Sequence, residues 1–161
     1  MTGSTHRLIV GARGWDHADW NGTFYPEDLP DDWRLSYYAN EFRGVLLPET
    51  VWRTVGPREI AIWCDDVADG FLFFLQAFGP NAIGSQAEAY RVFFGPHWGG
   101  VPAVGGSVMS ADEEWDLRSL HKRFENLMAQ PQGVSVPGFF ISGNPPDMDH
   151  LREAKVLADM L

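Results

Sequence analysis

Cys64 is the only cysteine in the chain. No intrachain disulfide can form, which suits a reducing cytoplasm. Basic residues are scarce as well: 12 Lys and Arg stand against 22 Asp and Glu, for a net charge of −10. That balance argues against non-specific binding to nucleic acid or to a membrane surface, and leaves little from which to build a basic groove. No stretch approaches the roughly 20 apolar residues of a transmembrane helix. The opening residues carry a short apolar run and no signal-peptide h-region. Internal repeats and low-complexity segments are absent.

What is present is the composition of a globular protein: 161 residues, 45% hydrophobic and 21% charged. The length fits one domain spanning 1–161. Such a domain buries about 70% of its unfolded surface and needs no disulfide or metal to hold a core. Aromatic content is high, at 14% with 7 Trp. Much of it sits in GARGWDHADWNGTFYPEDLP, Gly11 to Pro30, a stretch too aromatic for a disordered linker and too broken for a helix.

Apolar runs mark the strands. Leu8-Ile9-Val10, Val45-Leu46-Leu47 and Phe71 to Leu75 read as buried strands. Between them, residues 32–42 carry Leu35, Tyr38, Ala39 and Phe42 at helical spacing, with an Asp at 31 or 32 available as N-cap. Gly56-Pro57 opens a second helix with Ile60, Trp63, Cys64 and Val67 on one face. Residues 78–88 give no clear assignment. Tyr90 to Gly95 reads as a fourth strand, and Gly95 to Gly106 as a Gly-rich loop. Ser110 with Glu113 makes a capping box for a helix bearing Leu117, Leu120, Phe124 and Leu127. Gly138 to Ile141 is a fifth strand, and a last helix turns Leu151, Ala154, Leu157, Ala158 and Leu161 inward. Strands alternating with helices imply an α/β fold with parallel pairing and right-handed crossovers.

The aromatic stretch resembles the signature of the YecE-like family, domain of unknown function 72. That signature is a strand, Gly-x-x-Gly-Trp, Trp-x-Gly-x-Phe-Tyr-Pro, then a Leu and a Tyr-Tyr-Ala helix. Here these are Gly11, Gly14, Trp15, Trp20, Gly22, Phe24, Tyr25, Pro26, Leu29, Tyr37, Tyr38, Ala39 and Phe42. Similarity continues through Val45–Arg53 and Phe71–Gln76, and returns in FFISGN and the C-terminal helix. It is dense over 8–77 and 138–161 and loose over 88–130. The resemblance implies an incomplete TIM-like (β/α) barrel with about five parallel units instead of eight, holding barrel positions one, two, three, seven and eight. A full barrel takes roughly 250 residues.

In such a barrel the active site stands at the strand C-termini. The resemblance places the family's Glu at Leu46, its Asn at Pro48, its Lys at Gln76, and its late Arg and His at Val92 and Phe94. Of the family's terminal Asn pair only Asn144 remains, beside Gly143. The groups able to do acid–base chemistry or bind an anion or metal are therefore gone at these positions, and most became apolar. An inherited site converted to packing is the expectation.

Other residues offer weaker chemistry. Asp16, His17 and Asp19 combine carboxylate and imidazole within one loop, and His97 sits in the Gly-rich loop. None has the spacing of a metal motif. Cys64 beside Asp65 lacks the positive neighbour that activates a nucleophile. The glycines from Gly95 to Gly106 match no phosphate-loop pattern. Arg53 matches a family Arg and is a candidate anion contact, with a surface salt bridge as the alternative. His6, His17, His97, His121 and His150 are scattered, and no Ser-His-Asp set is readable.

The sequence thus points to a non-catalytic, pseudoenzyme-like half-barrel without cofactor or metal. It would act as a homodimer or as an accessory subunit of a larger protein, since open strand edges invite pairing. Binding contacts, if any, fall to Asn144, Arg53, Trp15, Trp20 and Tyr25. The alternative is a small metal-dependent hydrolase-like enzyme with a loop-built site at Asp16, His17, Asp19, His97 and Asn144. Nucleic-acid processing, the role implied by the resemblance to endonuclease-IV-like barrels, is disfavoured by the charge. A cytoplasmic location, away from membranes, is expected.

Overall fold

The computed structural model of the chain describes residues 8–77, 81–102, 107–129 and 136–161. Its elements are, in order, β1 (Ile9–Ala12), α1 (Arg34–Glu41), β2 (Gly44–Leu47), α2 (Glu49–Trp52), α3 (Pro57–Asp66), β3 (Leu72–Leu75), α4 (Asn81–Glu88), α5 (Arg91–Phe94), β4 (Trp98–Gly100), β5 (Val108–Met109), α6 (Leu117–Ala129), β6 (Gly138–Ile141) and α7 (Met148–Asp159). The fold is α/β, and every strand pairing is parallel. No helix among the described residues is long and apolar enough to cross a membrane.

Three strands form a sheet in the order β1-β6-β5 and three in the order β2-β3-β4. The sheets meet where Arg13 bridges Leu46 and the Gly14 N–H donates to the Leu46 carbonyl at 2.8 Å. The strands therefore follow one another as β5-β6-β1-β2-β3-β4. At the far side the Val136 N–H reaches the Gly99 carbonyl at 3.3 Å.

Alternation along the strands splits the apolar side chains into two groups. Val10, Ala12, Val45, Leu47, Phe73, Leu75, Phe139 and Ile141 belong to the main core beneath the helices. Leu46, Phe74 and Phe140 form a separate buried cluster, with Ile9, Leu72 and Val108 against it. Strands apolar on both faces are the signature of a parallel sheet covered on both sides, which is why they read as continuous runs. Room for the rings comes from glycine beside them: Gly99 on β4, next to Phe74's strand, and Gly138 two residues before Phe140 on β6 itself. A Cβ on Gly99 would lie 2.7 Å from the Phe74 ring, and one on Gly138 would lie 2.7 Å from the Phe140 ring.

In the stretch from Gly11 to Pro30 the aromatic side chains go to the core while Asp16, Asp19 and Glu27 stay exposed. Trp15, Trp20, Phe24 and Tyr25 are all buried. The Trp20 Nε1–H donates to the Pro146 carbonyl at 3.2 Å, tying this loop to the β6–α7 connection. Trp15 packs edge-on against Trp63 at 4.9 Å. Helix α1 is bonded to the sheets through Tyr38, whose hydroxyl donates to the Gly44 carbonyl at 2.7 Å and accepts from the Ala12 N–H at 2.8 Å.

Several expectations are corrected. Tyr90 to Gly95 is not a strand: α5 occupies it, followed by a 3₁₀ turn through Gly95–His97, with Gly95 at φ 56°. The strand comes later, at β4, inside the supposed Gly-rich loop, and β5 adds another, so six strands stand among the described residues where about five were expected. No Asp caps α1. Its start is a 3₁₀ turn after Pro30, and Asp31 instead pairs with Arg34 at 3.1 Å. Ser110 and Glu113 do bond, Ser110 N–H to Glu113 Oε2 at 2.8 Å, but they close a turn ahead of α6. Leu117 and Leu161 are exposed, not inward. Asp147 caps α7, accepting from the His150 N–H at 3.0 Å. His6, Gly105, Gly106 and residues 78–80 lie outside the described residues.

Candidate functional site

Beyond the C-termini of the strands the alternation continues. Gly11 and Arg13 share a face, as do Phe74 and Gln76. The side chains of Arg13 and Gln76 meet there: Arg13 Nε donates to Gln76 Oε1 at 2.5 Å. Gln76 is only 4% exposed. Its backbone is held on both sides, the N–H by the Leu47 carbonyl at 2.9 Å and the carbonyl by Trp52 Nε1–H at 2.8 Å. This polar pair stands directly over the Leu46–Phe74–Phe140 cluster. Arg13 is not among the positions that the resemblance marks. The signal was available, since Arg13 follows Ile9 and Gly11 at spacing two.

The positions implied by the resemblance divide. Leu46 is fully buried in the inner cluster. Pro48 opens α2, its carbonyl accepting from Val51 and Trp52 N–H groups at 2.9 and 3.1 Å. Gln76 stands beside Arg13, as above. Val92 and Phe94 are in α5, not in a strand; Val92 is 77% exposed while Phe94 is buried in the main core. They do not fill the interior between the sheets, because a helical turn sends them to different sides. Asn144 is exposed, three residues past β6.

The candidates for binding and metal ligation disperse too. Trp15, Trp20 and Tyr25 are buried structural residues and present no ring to solvent; the Tyr25 hydroxyl is spent on the Trp15 carbonyl. Arg53 pairs with Glu49 at 2.8 Å, one helical turn away. Asp16 pairs with Arg34, which is 7% exposed and also reaches Asn21 Oδ1 at 3.2 Å. Asp19 is exposed. His17 Nε2 lies 3.0 Å from the Arg13 carbonyl and 3.2 Å from that of Gly14. Two carbonyls can only accept, so Nε2 carries the proton. Burial holds the His17 imidazole below its ordinary pKa, and the two backbone bonds only partly oppose it.

His97 is elsewhere. It precedes β4, and its Nδ1 bonds the carbonyl of Phe71, which precedes β3, at 2.8 Å. It therefore sits at the N-terminal end of the sheet, whereas His17 follows the C-terminal end of β1. The two histidines proposed for one loop-built centre occupy opposite ends. Among the described residues no group of three His, Cys, Asp or Glu side chains is placed to hold a metal ion. Cys64 is half-buried, and burial together with Asp65 raises its thiol pKa, the reverse of activation.

A groove of about 590 Å³ also opens at the N-terminal end, between the starts of β1–β3 and the ends of α1 and α7. Its polar lining includes Asn40, Glu41, Arg43, Asp69 and Lys155. Glu41 is engaged by Arg152 at 2.7 Å, and its carbonyl accepts from Lys155.

No curated protein matches the chain. A solved structure of a DUF72 family protein from Thermotoga maritima is similar at 19% identity with a TM-score of 0.45. The match covers 73% of this chain and 52% of that one, so the chain spans about half that protein's length. The family model described as "Protein of unknown function DUF72" matches residues 9–89, half of the sequence, and the chain belongs to the DUF72 family.

Proposed function

We propose that this DUF72 protein is a non-catalytic, shortened TIM-like barrel of one domain that acts through protein–protein association. The observation that carries the reading is the apolar filling between the sheets. Leu46, where the resemblance implies the family's Glu, is packed with Phe74 and Phe140, although site residues of a barrel enzyme stand at such strand C-terminal positions. Apolar residues replacing site residues normally stabilise a fold at the expense of chemistry. The continuous strand run β5-β6-β1-β2-β3-β4 supports a barrel with fewer members than eight.

Association is supported by what the fold leaves uncovered. Among the described residues β5 ends the strand run, while the end at β4 meets Val136 through one bond at Gly99, and sheet ends recruit partners unless blocked. Beside β4, α5 exposes Val92 at 77% and Phe93 at 43%. The partner is a second copy or a larger protein. Separation of His17 from His97 weighs against the metal-dependent alternative, and the net charge of −10 against nucleic acid. A cytoplasmic location belongs to the same reading, on the single half-buried thiol. Size-exclusion chromatography with light scattering tests it on the pure protein and on pull-downs of its complexes. A stable monomer at low micromolar concentration with no co-purifying partner sinks the reading.

A further inference from the structure

We propose that Arg13 and Gln76 form a binding site for a small oxyanion, a phosphate or carboxylate group, over the filled interior. The inference stands on the geometry of the pair and does not require the protein to associate.

Arg13 differs from the other engaged arginines. Arg34, Arg53, Arg123 and Arg152 are each paired with a carboxylate. Arg13 is half-buried, and among the described residues its charge meets no carboxylate, in a chain with 22 acidic residues. Its partner is the neutral amide of Gln76, which fixes the guanidinium and leaves its charge uncompensated. Because Nε is the donor, the amide oxygen must face it. Among the described residues only Nε is spent, which leaves both terminal nitrogens, with four N–H groups in a planar fork suited to two oxygens of one anion. The Gln76 Nε2 amide likewise has no partner among the described residues and supplies two further donors on a side chain that is 4% exposed.

The position fits the use. Both residues follow strand C-termini and lie next to the apolar Leu46–Phe74–Phe140 layer, where reduced solvent screening strengthens a charge-assisted bond. Gln76 is clamped by Leu47 and Trp52 through its backbone, so the donors are held before a ligand arrives.

The test is titration with inorganic phosphate and, separately, acetate at ionic strength matched with chloride, read by calorimetry and thermal denaturation. Wild type should bind one of the two saturably, at a level chloride does not reproduce. Arg13→Met should weaken it by roughly tenfold or more, the loss expected for a hydrogen bond to a charged group. Gln76→Glu keeps Arg13 and the strand end but compensates its charge, and should also abolish binding while near-UV circular dichroism stays native. Arg53→Met should change nothing. Saturation by acetate alone assigns a carboxylate ligand, and by phosphate alone a tetrahedral one; either supports the site. No saturable binding in wild type, or undiminished binding in Gln76→Glu or in folded Arg13→Met, overturns it.

Discussion

The Phe74 and Phe140 rings meet at a centroid distance of 4.8 Å between the two sheets, inclined at 55°. They come from different sheets and are each at most 1% exposed, so this contact holds the sheets at their spacing. Phe74→Ala should cost about 3–5 kcal/mol in urea unfolding, the range for truncating a buried aromatic ring. Gly99→Ala should also destabilise, because its new methyl would meet the Phe74 ring at 2.7 Å. The double variant Phe74→Leu with Gly99→Ala should lose less than the sum of its parts, because removing the ring relieves the clash that the Gly99 methyl makes with it.

Tyr38 makes a second tie, between β1 and β2. Tyr38→Phe removes the hydroxyl that accepts from Ala12 and donates to Gly44, leaving both backbone groups buried without that partner. The expected loss is about 1–3 kcal/mol. Far-UV circular dichroism should stay unchanged while the unfolding midpoint falls.

His17 gives the stability a pH dependence of defined sign. Burial lowers its pKa in the folded chain from 6.5, so on acidification the unfolded chain takes up the proton first. Stability conferred by His17 is present above 6.5 and is lost as pH falls through 6.5 toward the lower folded value. Glu41 and Glu113 are held below 4.5 by Arg152 and by the Ser110 N–H respectively, so their losses come at more acid pH. Unfolding midpoints at about pH 7.5 and about pH 5.5 should therefore differ in wild type and differ less in His17→Gln.

The proposed association is tested at the exposed Val92 and Phe93. Val92→Asp together with Phe93→Asp places two charges on the exposed part of α5 and should convert an oligomer to monomer by light scattering. The unfolding profile of the monomer should remain cooperative, since both residues are already exposed.

Four of the six strands were legible because their runs are apolar on both faces. Tyr90 to Gly95 had the same look and misled. A short apolar run does not distinguish a strand from a helical turn, and here a positive-φ Gly95 and Pro96 follow. β4 was hidden for the opposite reason. Its inward position is Gly99, with the ring supplied by Phe74 on the neighbouring strand, so it carries no alternation of its own. β5 has two residues, too few for any pattern. At the candidate site, Leu46, Pro48 and Gln76 were read as losses of family groups. Arg13 lies outside the positions that the resemblance marks, and spacing puts it on the face of Ile9 and Gly11 without stating that β1 and β3 flank β2 and so bring it to Gln76.

The pairing of β1 with β6 has a consequence for synthesis. Ile9 sits opposite Gly138, and the Trp20 indole waits for the Pro146 carbonyl. β1 is thus completed by a strand synthesised long after it. The stretch matching the family model, 9–89, lacks one neighbour for its own leading strand. Contacts so distant along the chain make folding slow and leave apolar surface open meanwhile. A nascent chain halted before β6 should be a client of chaperones and a target of proteases, however complete its signature looks.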